Sequence, residues 1–472
     1  MTTFVEAVEN QESHTANGMK ALKSTTNKAV DFFYNVGASR GKDIIPAFTS
    51  AYVEDKDLAM RIALWARDAR GGSGERKLFR DILAHLETVD IDAAKALLSK
   101  VPELGRWDDI FVFKTQEMKT EAFTMLKNAL TDGNGLAAKW TPRKGDVAVE
   151  FRKFLGWSPK QYRKTLVSLT NVVETQMCAN DWDNINFNHV PSLASARYKK
   201  AFNRHTPKFA EYVAKLIAGD KSVSVAAGAV FPYDVLKGVG SYGFDRTEKN
   251  HIIAQWDALP NFVGDANILP LVDVSGSMSC KAGGHNSKTD LTCMDVAVSL
   301  GLYLADKNTG KFKDTFITFS ERPELLTLRG NVVEKATQMV KSAWGMSTNL
   351  HAAFDLILDV ATKFDVPQAE IPEMLLILSD MQFSPSTIRG IDETAMEMIT
   401  RKYEAAGYTI PQIVFWNINA ADNVPVKSDK SGAAMVSGFS PAIVKALLSA
   451  DMSDFTPEGI MLKTVMVDRY AV

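Results

Sequence analysis

The stretch Asp273-Val274-Ser275-Gly276-Ser277-Met278 sets one carboxylate and two hydroxyls at two-residue spacing. On an extended backbone alternate side chains point the same way, and the glycine permits a sharp turn. Hard oxygen donors in that arrangement suit Mg²⁺ or Mn²⁺, which favour near-octahedral oxygen shells and keep bound water. Two more oxygen donors follow: Thr348, in Gly345-Met346-Ser347-Thr348-Asn349-Leu350, and Asp380, at the end of an apolar run. Asp273, Ser275, Ser277, Thr348 and Asp380 are therefore the candidate metal ligands. The plainer alternatives are a polar strand-to-helix turn, or a site that holds metal for structure alone.

Catalytic patterns are weaker. None of the seven histidines stands at a metal or triad spacing from another catalytic group, and Ser275 has no predicted base. Gly71-Gly72-Ser73-Gly74 lacks the Lys-[Ser/Thr] that completes a phosphate-binding loop. Cys280, His285 and Cys293 suggest zinc at first, but neither cysteine has another close in sequence, so a loop rimming the metal site is expected. The expectation is a binding protein and not an enzyme.

The elements that must hold the metal candidates begin near residue 266. Apolar runs Ile268–Val274, Thr315–Phe319, Met374–Leu378 and Ile413–Trp416 alternate with amphipathic stretches Leu291–Ala305, Val332–Ser342, Asn349–Lys363, Glu393–Ala405 and Pro441–Ser449. That alternation predicts a mostly parallel sheet with helices on both faces, and such sheets bind ligands at the carboxyl ends of their strands. The boundary is placed in Leu259-Pro260-Asn261, dividing the chain into 1–260 and 261–472.

Residues 1–260 read as helices joined by short polar turns. Leu58, Ile62, Trp65 and Ala69 share one face over Asp57–Ala69, and a glycine turn separates them from Leu78, Phe79, Ile82, Leu83 and Leu86. Helical patterns recur at Ala94–Lys100, Thr120–Leu130, Pro159–Thr175, Ala194–Phe202 and Lys208–Ala218. Such pairs bury their faces by stacking, so an all-α, HEAT-like solenoid is predicted, although no letter repeat is visible.

Charge divides the same way. Residues 1–260 hold 36 Lys+Arg against 31 Asp+Glu, net +5; residues 261–472 hold 18 against 25, net −7. The overall −2 therefore excludes no nucleic-acid partner. The basic residues are grouped: Arg61, Arg67, Arg70, Arg76, Lys77 and Arg80; Arg143, Lys144, Arg152, Lys153, Lys160, Arg163 and Lys164; and Arg197, Lys199, Lys200 and Arg204. Trp140, Trp157, Tyr162, Tyr198 and Phe202 are interleaved. Cations along phosphates with aromatics stacking on bases suit single-stranded RNA, while the bland alternative is solvated helix faces with core aromatics.

Hydrophobic residues at 46% and charged residues at 23% indicate a globular chain. No run of 18 apolar residues occurs, the N-terminus is polar, and three cysteines suit a reducing compartment, so a cytoplasmic protein is expected.

Asp273-x-Ser275-x-Ser277 with Thr348 and Asp380 resembles the metal-ion-dependent adhesion site of von Willebrand factor A domains. The resemblance implies direct ligation by Ser275, Ser277 and Thr348, water-mediated contact from Asp273 and Asp380, and a partner protein's carboxylate in the open position. A helical-repeat domain followed by an A domain resembles the Ro proteins, ribonucleoproteins with a TROVE domain. Segments 66–76, Gly105-Arg106-Trp107-Asp108-Asp109, Lys139-Trp140-Thr141-Pro142-Arg143-Lys144, Met177–Trp182 and Val190-Pro191-Ser192 resemble recurring motifs of an uncharacterised Ro-like family of bacteria, phages and some eukaryotes. The resemblance implies a ring binding small non-coding RNAs outside and single-stranded RNA ends in its hole. The other reading is a metal-dependent protein-interaction module, or a structural or assembly component of a phage particle, without RNA.

Overall fold

The computed structural model describes residues 12–170, 172–239, 244–282, 290–319, 321–341, 349–385, 392–419 and 423–472. A hairpin of β1 (Glu12–His14) and β2 (Lys20–Leu22) precedes the helices. These are α1 (Lys28–Val36), α2 (Ile45–Glu54), α3 (Lys56–Arg67), α4 (Lys77–Val89), α5 (Ile91–Ser99), α6 (Val101–Leu104), α7 (Gln116–Thr131), α8 (Gly135–Trp140) and α9 (Asp146–Phe154). There follow α10 (Pro159–Leu169), α11 (Val173–Cys178), α12 (Ser192–His205), α13 (Pro207–Ile217), α14 (Pro232–Leu236) and α15 (Arg246–Asp257).

Local chemistry sets these boundaries. Asp55 opens α3 by accepting the Leu58 N–H, and Leu58, Ile62 and Trp65 face the core. The helix stops at Arg67 because Ser73 and Glu75 send their N–H groups back to the Trp65 and Ala66 carbonyls, at 3.2 and 2.7 Å. Gly72 makes that return possible: a Cβ there would stand 1.8 Å from the Trp65 carbonyl oxygen. The single helix expected over Pro159–Thr175 is instead two, α10 and α11, with Thr170 extended at φ −84°, ψ 96°. The Thr170 hydroxyl donates to the Leu166 carbonyl at 2.6 Å, satisfying the helix end locally.

The second part adds β3 (Ile268–Asp273), α16 (Cys293–Lys307), β4 (Thr315–Phe319), β5 (Glu324–Thr327), α17 (Val332–Lys341), α18 (Leu350–Lys363), β6 (Met374–Ser379), α19 (Ala395–Ala406), β7 (Gln412–Asn417), β8 (Ala433–Ser437), α20 (Val444–Leu448) and α21 (Pro457–Val465). The strand order is β5-β4-β3-β6-β7-β8, parallel except for β5, which runs antiparallel to β4. Alternation sends Leu269, Leu271, Leu375, Ile377, Ile413 and Phe415 towards α18 and α19. Val272, Leu376, Leu378, Val414 and Trp416 join α16 in a core continuous with the first helices.

The α/β part holds the helical part at two places. Helix α1 lies on β8, where the Gly37 N–H donates to the Ser437 hydroxyl at 3.0 Å and that hydroxyl donates to the Phe33 carbonyl at 3.1 Å. A Cβ on Gly37 would stand 2.6 Å from the Ser437 carbonyl oxygen. Nearby, Arg469 donates to both carboxylate oxygens of Asp68, at 2.6 and 3.0 Å, and Tyr470 adds a third bond at 3.1 Å. At the far end of the helical part α14 packs on α16 and α15 on α17, and the Trp256 indole donates to Asp306 at 2.7 Å.

The division at residue 260 fails for the N-terminal hairpin. Leu22 and Val424 exchange backbone bonds of 2.9 and 2.8 Å, and Met19 is buried in the core of the α/β part. Those bonds satisfy backbone groups the two-strand hairpin leaves open, which attaches residues 12–22 to the sheet domain.

Candidate functional site

Strands β3 and β6 are parallel neighbours with Val272 opposite Leu378, so Asp273 and Asp380 emerge side by side at their carboxyl ends. Asp273 is fully buried. One oxygen accepts the Ser275 N–H at 2.9 Å and the other accepts the Ser379 hydroxyl at 2.6 Å. The Ser275 and Ser277 hydroxyl oxygens lie 3.1 Å apart. Asp380, also buried, accepts the Gln382 N–H at 3.2 Å and a bond from Ser277.

Burial, then the Asp380 charge, pushes the Asp273 carboxyl up to about 7, and burial raises Asp380 as well. Two desolvated carboxylates side by side destabilise each other's ionised form, and a cation between them reverses the sign of that interaction. The donor set of two carboxylates and two hydroxyls fits a hard divalent ion: Ser275, Ser277, Asp273 and Asp380 are the residues that would hold it. Among the described residues no cluster of three or more His, Cys, Asp or Glu exists, and this oxygen site is not of that kind. Thr348 lies outside the described residues.

Sequence reasoning missed two participants. Ser379 orients Asp273 and also accepts the Met381 N–H at 3.0 Å. Met381 has φ +62°, an unusual left-handed conformation for a buried unbranched side chain, directly after Asp380. A serine closing a strand carries little signal in the letters; its place one residue before Asp380 is the only hint. The second omission is that Cys280 and Cys293 meet, sulfurs 3.4 Å apart, beside the site. Their shared hydrogen bond lowers the Cys280 thiol and raises that of Cys293.

The basic candidates separate into structural and free groups. Arg67 is buried and pairs with Asp109 at 2.7 Å; Arg80 takes the other Asp109 oxygen at 2.7 Å. The Arg106 N–H also reaches Asp109, and its guanidinium stacks 3.7 Å over Trp140. The motif arginine Arg67 therefore knots helices together, sealed from solvent. Tyr162 and Phe202 are buried, so these aromatics serve the core as the bland alternative held. Arg143 donates to Thr170 and Arg152 to the Trp157 carbonyl, while Lys144, Lys153, Arg163 and Lys164 are exposed; none of these lines the molecule's 820 Å³ cleft.

That cleft, of about 820 Å³, lies between the glycine turn, α12, α14 and α16. Arg76, Lys77, Arg197, Lys237 and Arg40 line it, and Arg197 and Lys237 continue into a 340 Å³ cavity with Lys199, Lys200 and Phe244. Arg40 is neutralised by Glu75 at 2.7 Å. Lys199 is buried, donates to the Ala196 carbonyl, and is held down to about 8 by desolvation. Lys200 stands 4.5 Å over the Phe244 ring. Arg76 and Arg197 are exposed and make no ion pair among the described residues. Arg70 is exposed outside the cleft. Asp234, Asp290 and Asp295 also line the cleft and temper its charge.

A helical domain held at both ends by an α/β domain, with oxygen donors at the carboxyl edge of its sheet, defines a Ro-like architecture. The Deinococcus radiodurans RO (RSR) crystal structure superposes with a TM-score of 0.51 over 94% of this chain and 100% of that one, at 12% identity, which establishes the fold. Family models match residues 152–265, Domain of unknown function (DUF2828), and 267–468, Domain of unknown function (DUF7788). Uncharacterized protein L728 of Acanthamoeba polyphaga mimivirus is 30% identical over 95% of this chain and 86% of its own length. The chain belongs to the family of that mimivirus protein.

Proposed function

We propose that this chain is a Ro-like RNA-binding protein, a ring of helices closed by an A-type domain, that holds single-stranded or small non-coding RNA at the cationic cleft. The observation that carries the reading is the meeting of Arg76 and Lys77 with Arg197 and Lys237, from distant parts of the helical domain, at one 820 Å³ cleft. The double attachment of the α/β part, at α1 and at α14 and α15, supports ring closure. Phosphates would find unpaired guanidinium groups there, and Lys200 with Phe244 presents a cation beside an aromatic face. Fluorescence anisotropy with a labelled single-stranded 12-mer and a blunt duplex of the same length tests this at low salt. The single strand is expected to bind more tightly; no binding of either RNA at 50 mM salt overturns the reading.

A second reading, compatible with the first, concerns the sheet edge. Asp273, Ser275, Ser277 and Asp380, with Thr348, would hold Mg²⁺ or Mn²⁺ and leave a position for a partner's carboxylate. The destabilised buried pair Asp273 and Asp380 favours it. Titration calorimetry with Mn²⁺ on the full chain tests it, and an Asp273→Asn protein that binds Mn²⁺ as tightly as the parent counts against it.

A further inference from the structure

Cys280 and Cys293 lie on two short extended segments joined by an antiparallel bridge between Lys281 and Thr292. Ala282 donates to the Leu291 carbonyl at 2.8 Å and Cys293 to the Cys280 carbonyl at 3.0 Å. That pattern sets the two cysteines opposite each other beside the bridge, joined by one of the two bonds of a hydrogen-bonded pair, in which Cα atoms stand about 5.5 Å apart. The separation falls inside the range of roughly 4.4–6.8 Å that a disulfide spans. Cys293 is buried at the first turn of α16, while Cys280 is partly exposed, so solvent reaches one sulfur of the pair.

We propose that Cys280 and Cys293 form a reversible thiol–disulfide pair that sets the position of the turn carrying Ser277. The oxidant is a hydroperoxide. The Cys280 thiolate attacks its terminal oxygen, the O–O bond breaks, and the leaving oxygen takes a proton, giving a sulfenic acid. The Cys293 sulfur then attacks the Cys280 sulfur; the S–S bond forms, the S–O bond breaks, and hydroxide leaves as water with the Cys293 proton. Two thiols are oxidised and one hydroperoxide is reduced to an alcohol and water. A dithiol reductant reverses the change.

Bond formation draws the sulfurs from 3.4 Å to about 2.05 Å. Helix α16 resists, because Thr292 and Asp295 close a capping box and its side chains are buried. The turn gives instead: Cys280 donates its N–H to the Ser277 carbonyl at 3.1 Å, so it pulls on Gly276–Ser279. Metal donors tolerate only about 0.2 Å of displacement, so oxidation weakens divalent-ion binding, a consequence that rests on the metal reading above.

The test uses full-length Cys178→Ser protein, which removes the exposed third cysteine. Hydrogen peroxide is expected to lower the intact mass by about 2 Da, with a Cys280–Cys293 cross-linked peptide that dithiothreitol abolishes. Oxidation of Cys280 to a sulfinic acid with Cys293 still a free thiol overturns the pair. The Mn²⁺ dissociation constant is expected to rise threefold or more on oxidation, and not at all in a Cys280→Ser variant. Equal constants in a cross-linked protein overturn the coupling to Ser277. Absence of Mn²⁺ binding in both forms defeats the metal reading and the coupling together, while the mass result still decides the pair.

Discussion

Replacing Arg76 and Arg197 together with alanine tests the cationic cleft quantitatively. Five cations line the two connected cavities once Arg40, held by the buried Glu75, and the buried Lys199 are set aside: Arg76, Arg197, Lys200, Lys237 and Lys77, whose exposed pair with Asp81 a phosphate can replace. Each cation that neutralises a phosphate releases counterions, so the logarithm of the binding constant falls with the logarithm of salt at about −0.7 per contact for single strands. Five contacts give a slope of about −3.5, or roughly 100-fold weaker binding between 50 and 200 mM salt. Three contacts give a slope of about −2 and roughly 20-fold weakening. Anisotropy titrations across that salt range on both proteins measure the two slopes. Both arginines are exposed, so the variant retains its fold, which circular dichroism verifies. A variant slope equal to the parent's refutes the assignment, and a parent slope near zero refutes the cleft as an RNA site altogether.

Other perturbations probe the framework and the sheet edge. Asp109→Ala leaves Arg67 buried without its anion, so thermal or urea unfolding should show a loss of about 3–5 kcal/mol. Gly37→Val drives a side chain into the Ser437 backbone, and limited proteolysis should then release the helical part from the sheet. The Asp273 carboxyl sits near 7 when folded and near 4 when unfolded, so the folded state binds the extra proton. Its contribution is present below about pH 4 and is lost as pH rises to about 7. The buried neutral His251, lowered to about 3, works in the opposite direction over an overlapping range, so the parent's curve alone is ambiguous. Asp273→Asn isolates the carboxylate: the variant should match the parent's melting temperature near pH 4 and exceed it by a growing margin towards pH 7.5. Mg²⁺ should raise the parent's melting temperature more at pH 7.5 than at pH 5 and leave the variant unmoved; a pH-independent gain speaks against Asp273 as the titrating group.

The sheet and its edge were legible because strand chemistry is local. Ile268–Val272 and Met374–Leu378 are unbroken apolar runs buried on both faces, and each is followed by polar donors. Strand β8 escaped notice because Ala433-Ala434-Met435-Val436-Ser437 is built of small residues whose fit under α1 and α21 is visible only in three dimensions. Strand β5 escaped for the opposite reason, being an exposed edge with no apolar run. Grouping of basic residues along the chain was a poor guide to shared location. Arg67 and Arg76 belong to one sequence cluster, yet one is sealed behind Asp109 and the other faces the cleft. Lys237, in none of those clusters, lines both cavities. The cysteine pair was hidden because a 13-residue separation encodes nothing about the antiparallel bridge that brings the two sulfurs together.

The seam between α1 and β8 also imposes an order in time. Residues 33 and 37 bond to residue 437, and Asp68 is clamped by Arg469 and Tyr470, so partners some 400 residues apart must coexist before the seam closes. At about 5–20 residues per second a ribosome needs roughly 20–80 s to supply them. During that interval the apolar face of α1, with Phe32, Phe33 and Val36, has emerged without the strand that covers it. The apolar face of α1 therefore waits uncovered until β8 has been made, and only then can the seam between them close.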